Sequence, residues 1–359
     1  MKAPSNKLPA IVLAVDVGGT NTSCAIVDTG DTGFKKIFEQ RYSTKAEPSL
    51  LAPLSRFIAE ARVAGAPQPT LLCVSGAGPV VGKTISLTNA PWGIDGDELE
   101  SRFSLPTFVI NDFSAIAWGV LLLDEDNDDE LLQLRSSSGM TVKATTDGPI
   151  VVIGAGTGLG FGYIMRDGGS IRVYPSEGGH VCLPVYDGES RAFSFWLEDR
   201  YGFAAGAEAG VSGQGIGHIF TFLSSTETNL SAVVKRILET PDSDRPARIA
   251  EAANNGDPLC IRSMEMFVRL YARVAADAAA TFLPSGGIYL AGGIAAKNLG
   301  FFTKESLFME TFGRAYREHI ATIAARTPVF IVKDYAISIY GAANAAIHLA
   351  IERTIRGQV

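Results

Sequence analysis

The chain has 359 residues, 47% hydrophobic and 19% charged, with a formal net charge of −7, which describes a globular protein long enough for two domains of ordinary size. That charge speaks against nucleic acid as a main partner, no apolar run reaches the roughly 18 residues that span a bilayer, and residues 1–10 lack the apolar core of a signal peptide, so a soluble, cytoplasmic protein is expected. Cys24, Cys73, Cys182 and Cys260 are scattered without a CxxC pair, which points to reduced, buried side chains rather than a disulfide framework or a zinc site.

The first informative segment is an apolar strand from Leu13 that enters Asp16-Val-Gly-Gly-Thr-Asn21, after which a second apolar strand leaves. A hairpin turn of this kind can hold phosphate. Gly18 and Gly19 carry no Cβ, so the backbone can take positive φ and bring its N–H groups to an anion. Thr20 adds a hydroxyl beside Asn21, and Asp16, at the end of a buried strand, is placed to hold a hydrated Mg2+ next to the phosphates. Taken alone, the segment reads equally as an ordinary tight hairpin.

Helical stretches follow at 50–65 and 95–103, the second with an acidic N-cap candidate. Between them, Ala77-Gly-Pro-Val-Val-Gly-Lys-Thr84 imitates a Walker A loop, but Ala77 stands where its first glycine belongs and Pro79 removes an N–H. Residues 81–87 read instead as a hairpin turn and strand. Thr88-Asn-Ala-Pro-Trp92 offers amide and indole groups that either line a polyol pocket or merely close the lobe. Asn111-Asp112 follows a strand at 107–110 and precedes an apolar helix at 115–123. Asp112 sits where α/β folds place ligand-facing groups and could accept the proton of a hydroxyl attacking a γ-phosphate. Read alone, it is more simply a helix N-cap. Residues 124–148, opened by an acidic run, read as an exposed excursion near the lobe junction.

Residues 150–164 repeat the hairpin design, with Gly156, Thr157 and Gly158 in the turn and Thr157 corresponding to Thr20. Two such hairpins imply a duplicated fold with one per lobe and the phosphates in the cleft between them. The Rossmann spacing fails, because its third glycine falls on Leu159. In Pro175-Ser-Glu-Gly-Gly-His180 the paired glycines let Glu177 and His180 face one pocket and fix vicinal sugar hydroxyls. The plain alternative is a structural histidine and a solvated carboxylate. Glu208 adds a carboxylate beside a Ser212-Gly213 helix start. An amphipathic helix at 257–282 carries a core stripe of Met264, Phe267, Val268, Tyr271, Val274 and Ala275. A buried strand ends in Gly292-Gly293, where a flat ring such as adenosine could lie on bare backbone. A strand at 329–332 leads to an alanine-rich helix at 338–353 that returns to the first lobe. The expected domains are therefore 1–122 plus 337–359, and 123–336.

In order along the chain, DVGGTN (16–21), TNxxW (88–92), INDF (110–113), GAGTGLG (154–160), EGGH (177–180), AExxxSGxG (207–215) and AGGI (291–294) resemble the bacterial-type glucokinases of the hexokinase, Hsp70 and actin superfamily. The resemblance implies an α/β, two-lobed actin-like ATPase fold, a duplicated ribonuclease H-like design with the active site in the cleft between lobes. It implies phosphorylation of glucose O6 by ATP with Mg2+, with Asp112 as the base and Asn111, Asp112, Glu177, His180 and Glu208 holding the sugar. A homodimer is implied too. The cysteine-rich zinc motif of the related ROK family is missing, and Ala209-Gly210-Val211 stands where the family often has Arg-Val-Leu. The competing readings are a kinase for another hexose or amino sugar, and an actin- or Hsp70-like ATPase whose turnover does not depend on sugar.

Overall fold

The computed structural model describes residues 10–30, 33–87, 90, 92–136, 138–167, 170–315, 317–334 and 337–357. The chain divides into two compact units, one comprising Met1–Glu130, Val173–Pro175 and Asp334–Val359, the other Leu131–Arg172 and Ser176–Lys333.

The first unit contains, in order, β1 (Ile11–Val17), β2 (Asn21–Asp28), β3 (Lys35–Ser43), α1 (Leu51–Val63), β4 (Leu71–Gly76), a small sheet of β5 (Val80–Val81), β6 (Thr84–Ile85) and β7 (Ile94–Asp95), then α2 (Gly96–Phe103), β8 (Thr107–Asn111) and α3 (Asp112–Val120). Its main sheet has the order β3-β2-β1-β4-β8. Strands β1 and β4 are near-continuous apolar runs because both faces are covered. On one face Leu13, Val15, Leu72 and Val74 pack with Leu54 and Phe57 of α1. The C-terminal helix (Ile337–Arg356) packs on β1, β4 and α3. Its small residues allow close approach, and a Cβ at Gly341 would lie 1.7 Å from the Ala115 carbonyl oxygen. Strands β1, β4 and β8 are parallel, with Val17 opposite Gly76 and Gly76 opposite Asn111. Their C-terminal ends therefore share one sheet edge, where open α/β sheets bind ligands.

Asp95 caps α2 by accepting from the N–H groups of Asp97 and Glu98, as its residue type predicts. The helix expected at 115–123 instead runs from Asp112 to Val120. Asn111 makes the cap three residues earlier than the apolar pattern suggests.

A six-stranded sheet is assembled from β9 (Leu131–Gln133), β10 (Ile150–Ala155), β11 (Leu159–Asp167), β12 (Ser170–Ser176), β13 (Ile288–Ala291) and β14 (Val329–Val332), in the order β12-β11-β10-β13-β14-β9. The run β12-β11-β10-β13-β14 repeats the order of the first sheet's β3-β2-β1-β4-β8, with an antiparallel pair, β11 and β10, continued by the parallel strands β13 and β14. The sixth strand corrects the sequence reading. Leu131–Gln133, expected within an exposed excursion, pairs antiparallel with β14, and Leu131 and Leu134 are buried. Three residues are too few to show a period-2 pattern.

Between the strands lie α4 (Gly188–Tyr201), α5 (Gly213–Thr226), α6 (Ala232–Leu238), α7 (Arg245–Asn254) and α8 (Pro258–Phe282), followed by α9 (Gly293–Lys297), α10 (Leu299–Thr303), α11 (Leu307–Gly313) and α12 (Glu318–Ala325). The predicted α8 stripe is core, and its fully buried Tyr271 donates a 2.8 Å hydrogen bond to the Ile153 carbonyl of β10. Among the described residues no helix is long and apolar enough to cross a membrane.

Candidate active site

In the first unit the β1–β2 turn is closed by Gly18 N–H donating to the Asn21 carbonyl at 2.9 Å. Neither Gly18 nor Gly19 has positive φ, contrary to the conformation that the sequence suggests. The glycine at 18 serves closeness instead, since a Cβ there would lie 3.2 Å from the Asn21 oxygen. Thr44, unforeseen in the sequence, pins the turn. Its hydroxyl donates to the Gly18 carbonyl at 2.7 Å, its N–H donates to the Thr20 carbonyl at 2.9 Å, and the Thr22 hydroxyl stands 2.9 Å away. The N–H groups of Gly19 and Thr20 have no hydrogen-bond acceptor among the described residues, and the Thr20 side chain is exposed. These are free donors of the kind that bind phosphate.

Asp16 lies opposite Ser75 in the parallel β1–β4 pair. Oδ1 accepts from the Ser75 hydroxyl at 3.0 Å, and Oδ2 accepts from Ser338 at the start of the C-terminal helix at 2.8 Å. Burial raises the Asp16 pKa and the two hydroxyls pull it back down. Ser75 had a readable signal, a polar residue near the end of an apolar strand. Ser338 had none, because it reaches Asp16 across 322 positions of sequence.

At the adjoining strand end, Asn111 caps α3. Its Oδ1 accepts from Phe113 N–H (2.9 Å) and Ser114 N–H (3.2 Å), and its Nδ2 donates to the Gly78 carbonyl (3.1 Å). The sequence suggested Asp112 as the cap, but Asn111 takes that task and leaves Asp112 as the first helical residue. The Asp112 carboxylate accepts from Phe113 N–H through Oδ1 at 2.8 Å. Burial raises its pKa and the neighbouring Asp16 charge adds to the shift. Of the loop at 88–92, Thr88, Asn89 and Pro91 lie outside the described residues, and the indole Nε1 of Trp92 is buried without a partner among those described.

The second unit holds the other candidates. In the β10–β11 turn Gly156 N–H donates to the Gly158 carbonyl at 2.9 Å, while the N–H groups of Thr157 and Gly158 meet no acceptor among the described residues. Three residues separate the last paired residues, Ala155 and Leu159, against four between Val17 and Thr22. Thr157 is thus the second residue of its turn, whereas Thr20 is the third.

Glu208 is held here: its Oε2 accepts from Leu159 N–H at 2.8 Å, and a Cβ on Gly158 would fall 2.4 Å from that oxygen. Ser212 caps α5 through Gly215 N–H and donates to the Glu208 carbonyl, and Gly213 N–H donates to the Gly156 carbonyl at 2.8 Å. The Glu177–His180 turn meets the same strand end, since a Cβ on Gly179 would lie 2.0 Å from the Leu159 oxygen. Its glycines allow this packing as well as a tight turn. Glu177 and His180 are exposed, with Oε2 and Nε2 3.7 Å apart. The Glu177–His180 turn and the Glu208 carboxylate therefore both meet Leu159. Gly292 follows β13 with φ 92°, and a Cβ there would meet the Ala155 oxygen at 2.6 Å; Gly293, the first residue of α9, is next to it. Three cysteines are buried as expected, but Cys182, two residues beyond His180, is exposed.

The family profile described as Glucokinase matches residues 13–349. A glucokinase of Nostoc sp. is 33% identical over 353 residues, covering 94% of this chain and 99% of the relative. One from Synechocystis sp. is 33% identical over 355 residues, covering 93% and 97%. Among solved structures, a glucokinase from an Antarctic psychrotroph superposes with a TM-score of 0.78 at 25% identity, covering 93% of this chain and 98% of that one. The glucokinase of Balamuthia mandrillaris, solved in complex with glucose, shares the fold with a TM-score of 0.71 at 21% identity, covering 96% and 95%. The repeated sheet order is that of the actin-like ATPases, and with a family match over most of its length the chain belongs to the glucokinase family.

Proposed function

We propose that this glucokinase uses Asp112 as the general base when it transfers the γ-phosphate of ATP to the 6-hydroxyl of glucose, and that Asn111, Asp112, Glu177, His180 and Glu208 read the sugar. The observation that carries this is the division of labour at β8–α3. Because Asn111 caps the helix, the half-buried Asp112 keeps acceptor capacity, and its raised pKa makes it a better proton acceptor once ionised. As the bond from O6 to phosphorus forms and the bond between the β–γ bridging oxygen and phosphorus breaks, the O6 proton passes to Asp112 and ADP leaves. In a loose phosphoryl-transfer transition state, positioning and charge stabilisation dominate.

The free N–H groups of Gly19, Thr20, Thr157 and Gly158 and the Thr20 and Thr157 hydroxyls suit the phosphates, with Gly18, Asn21 and Gly156 shaping the two turns. Bare backbone at Gly292 and Gly293 suits the adenosine. Asp16 fits Mg2+ held through water, because both oxygens already accept hydroxyl bonds and Mg2+ keeps most of its waters beside phosphates. Bound there, the ion would offset phosphate charge. Asn111 retains one amide hydrogen for the sugar, the other being given to Gly78.

A homodimer is consistent with the exposed Phe195, Tyr201 and Phe203 on and beyond α4, and free thiols suit a reducing, cytoplasmic setting. The test is hexose 6-phosphate formation from MgATP with glucose, mannose, fructose, glucosamine and N-acetylglucosamine beside a no-sugar control. Strong preference for glucose is expected. Preference for another sugar would revise the pocket assignment, and ATP turnover independent of sugar would overturn it.

A further inference from the structure

Glu208 belongs to two structures at once. Through Oε2 it fixes Leu159 N–H, the first backbone donor after the second glycine turn, and its carboxylate lies against Gly158 inside that turn. Its Oε1 receives no hydrogen bond from the described residues. The backbone on either side of Glu208 is fastened to the same place: Gly213 N–H donates to the Gly156 carbonyl, and Ala207 N–H donates to the Val181 carbonyl just past His180. The Glu177–His180 turn in its own way packs against the Leu159 oxygen through Gly179. Leu159 is thus held by its N–H from one candidate sugar segment and abutted at its C=O by the other.

We propose that Glu208 is a positioning residue for the phosphate turn as well as a sugar contact, and that it couples the binding of sugar to the binding of nucleotide within the second unit. This rests on the assignment of Glu208 to the sugar. A sugar hydroxyl donating to Oε1 restricts the carboxylate to one orientation. The other oxygen then holds Leu159 N–H, and with it the N–H groups of Thr157 and Gly158 that a phosphate would use. The second ligand finds that ordering already done, so each ligand tightens the other by the same factor. The bond that transmits the effect is the one at 2.8 Å from Leu159 N–H to Oε2.

The experiment is a calorimetric cycle: the Kd of glucose with and without saturating non-hydrolysable MgATP analogue, for wild type, Glu208→Ala, Gly158→Ala and His180→Ala, each checked for a native thermal transition. Wild type should bind glucose at least about fivefold more tightly with the analogue, the low end of measured couplings. Glu208→Ala should weaken glucose and bring the ratio to about one. Gly158→Ala, whose Cβ would displace the carboxylate without altering a sugar segment, should also abolish the ratio and covers the case in which Glu208→Ala does not fold. His180→Ala should weaken glucose in both states while keeping the wild-type ratio. A wild-type ratio of one, or a full ratio in Glu208→Ala with weakened glucose, would overturn the coupling and leave the sugar assignment standing. Unchanged glucose affinity in Glu208→Ala would overturn the assignment itself.

Discussion

In the first glycine turn four residues separate Val17 from Thr22, and in the second three separate Ala155 from Leu159. The first is tied down by Thr44, which donates to the carbonyls of Gly18 and Thr20, and beside it stands the half-buried carboxylate Asp16 with Asp112 within its electrostatic reach. The second has no carboxylate at the corresponding strand position, where Gly154 stands between Ile153 and Ala155. It is instead tied through Glu208 and Gly213 to segments that carry the residues proposed to bind sugar. One duplicated hairpin has therefore been specialised twice. The first turn concentrates charge, which suits metal and proton transfer, and the second joins the proposed phosphate donors to the proposed sugar segments. Charge can be concentrated only where hydroxyls and helix ends satisfy it, as Ser75, Ser338 and the α3 cap do.

The sharpest way to break this comparison is Asp112→Asn. Turnover should fall at least about a hundredfold with little change in glucose KM, and a folded variant with near wild-type turnover would remove the proton-transfer role from the first region. The same substitution should raise the melting temperature at neutral pH. A carboxyl whose pKa is raised by folding contributes stability that is full below the ordinary carboxylate range and lost as pH rises through the raised value, so at neutral pH its charge costs stability. By the same sign, kcat in wild type should decline as pH falls through that raised value, and a rate flat on the acid side would count against Asp112.

Gly179→Ala probes the second region, because its Cβ would force the sugar turn away from the Leu159 oxygen. Overpacking of this kind costs about 1–3 kcal/mol, so glucose KM should rise roughly five- to a hundredfold while the Mg2+ requirement stays as in wild type. Ser338→Ala should do the reverse. Losing a hydrogen bond to a charged group costs about 1.5 kcal/mol or more, which would raise the Mg2+ concentration for half-maximal rate roughly tenfold and weaken Mn2+ binding seen by electron paramagnetic resonance. Glucose affinity should not change. If both variants moved both quantities equally, the division between the regions would be lost.

The smallest effect is expected from Glu100→Gln. Arg353 of the C-terminal helix and Lys83 beside α2 hold the Glu100 pKa down to about 2. The pair's stabilisation is present above the ordinary carboxylate range and lost as pH falls toward that value. Its exposure to solvent limits the loss to about 1 kcal/mol or less, shrinking further in high salt. A larger drop in a urea titration would mean that this contact carries more of the C-terminal helix than its exposure allows.

Much of the fold could be read directly. Strands that are apolar throughout, glycine-rich turns after them and a long stripe of large apolar residues on α8 each fix a local conformation through short-range sterics and burial. The edge strand at Leu131–Gln133 escaped because three residues carry no period, and the α3 start escaped because Asn and Asp are both good caps. Which of two adjacent residues caps depends on the Gly78 carbonyl that receives the Asn111 amide, and that carbonyl comes from another turn.

The motif order and the repeated hairpin were sufficient for the family, because those depend on spacing along one stretch of chain. The hydroxyls of Ser75 and Ser338 on Asp16, the Thr44 brace on the first turn and the hold of Glu208 on Leu159 were decided by tertiary structure alone. Each joins residues between 22 and 322 positions apart. Such bonds exist only after parallel strand pairing and helix packing have brought the partners together, and no local pattern encodes that.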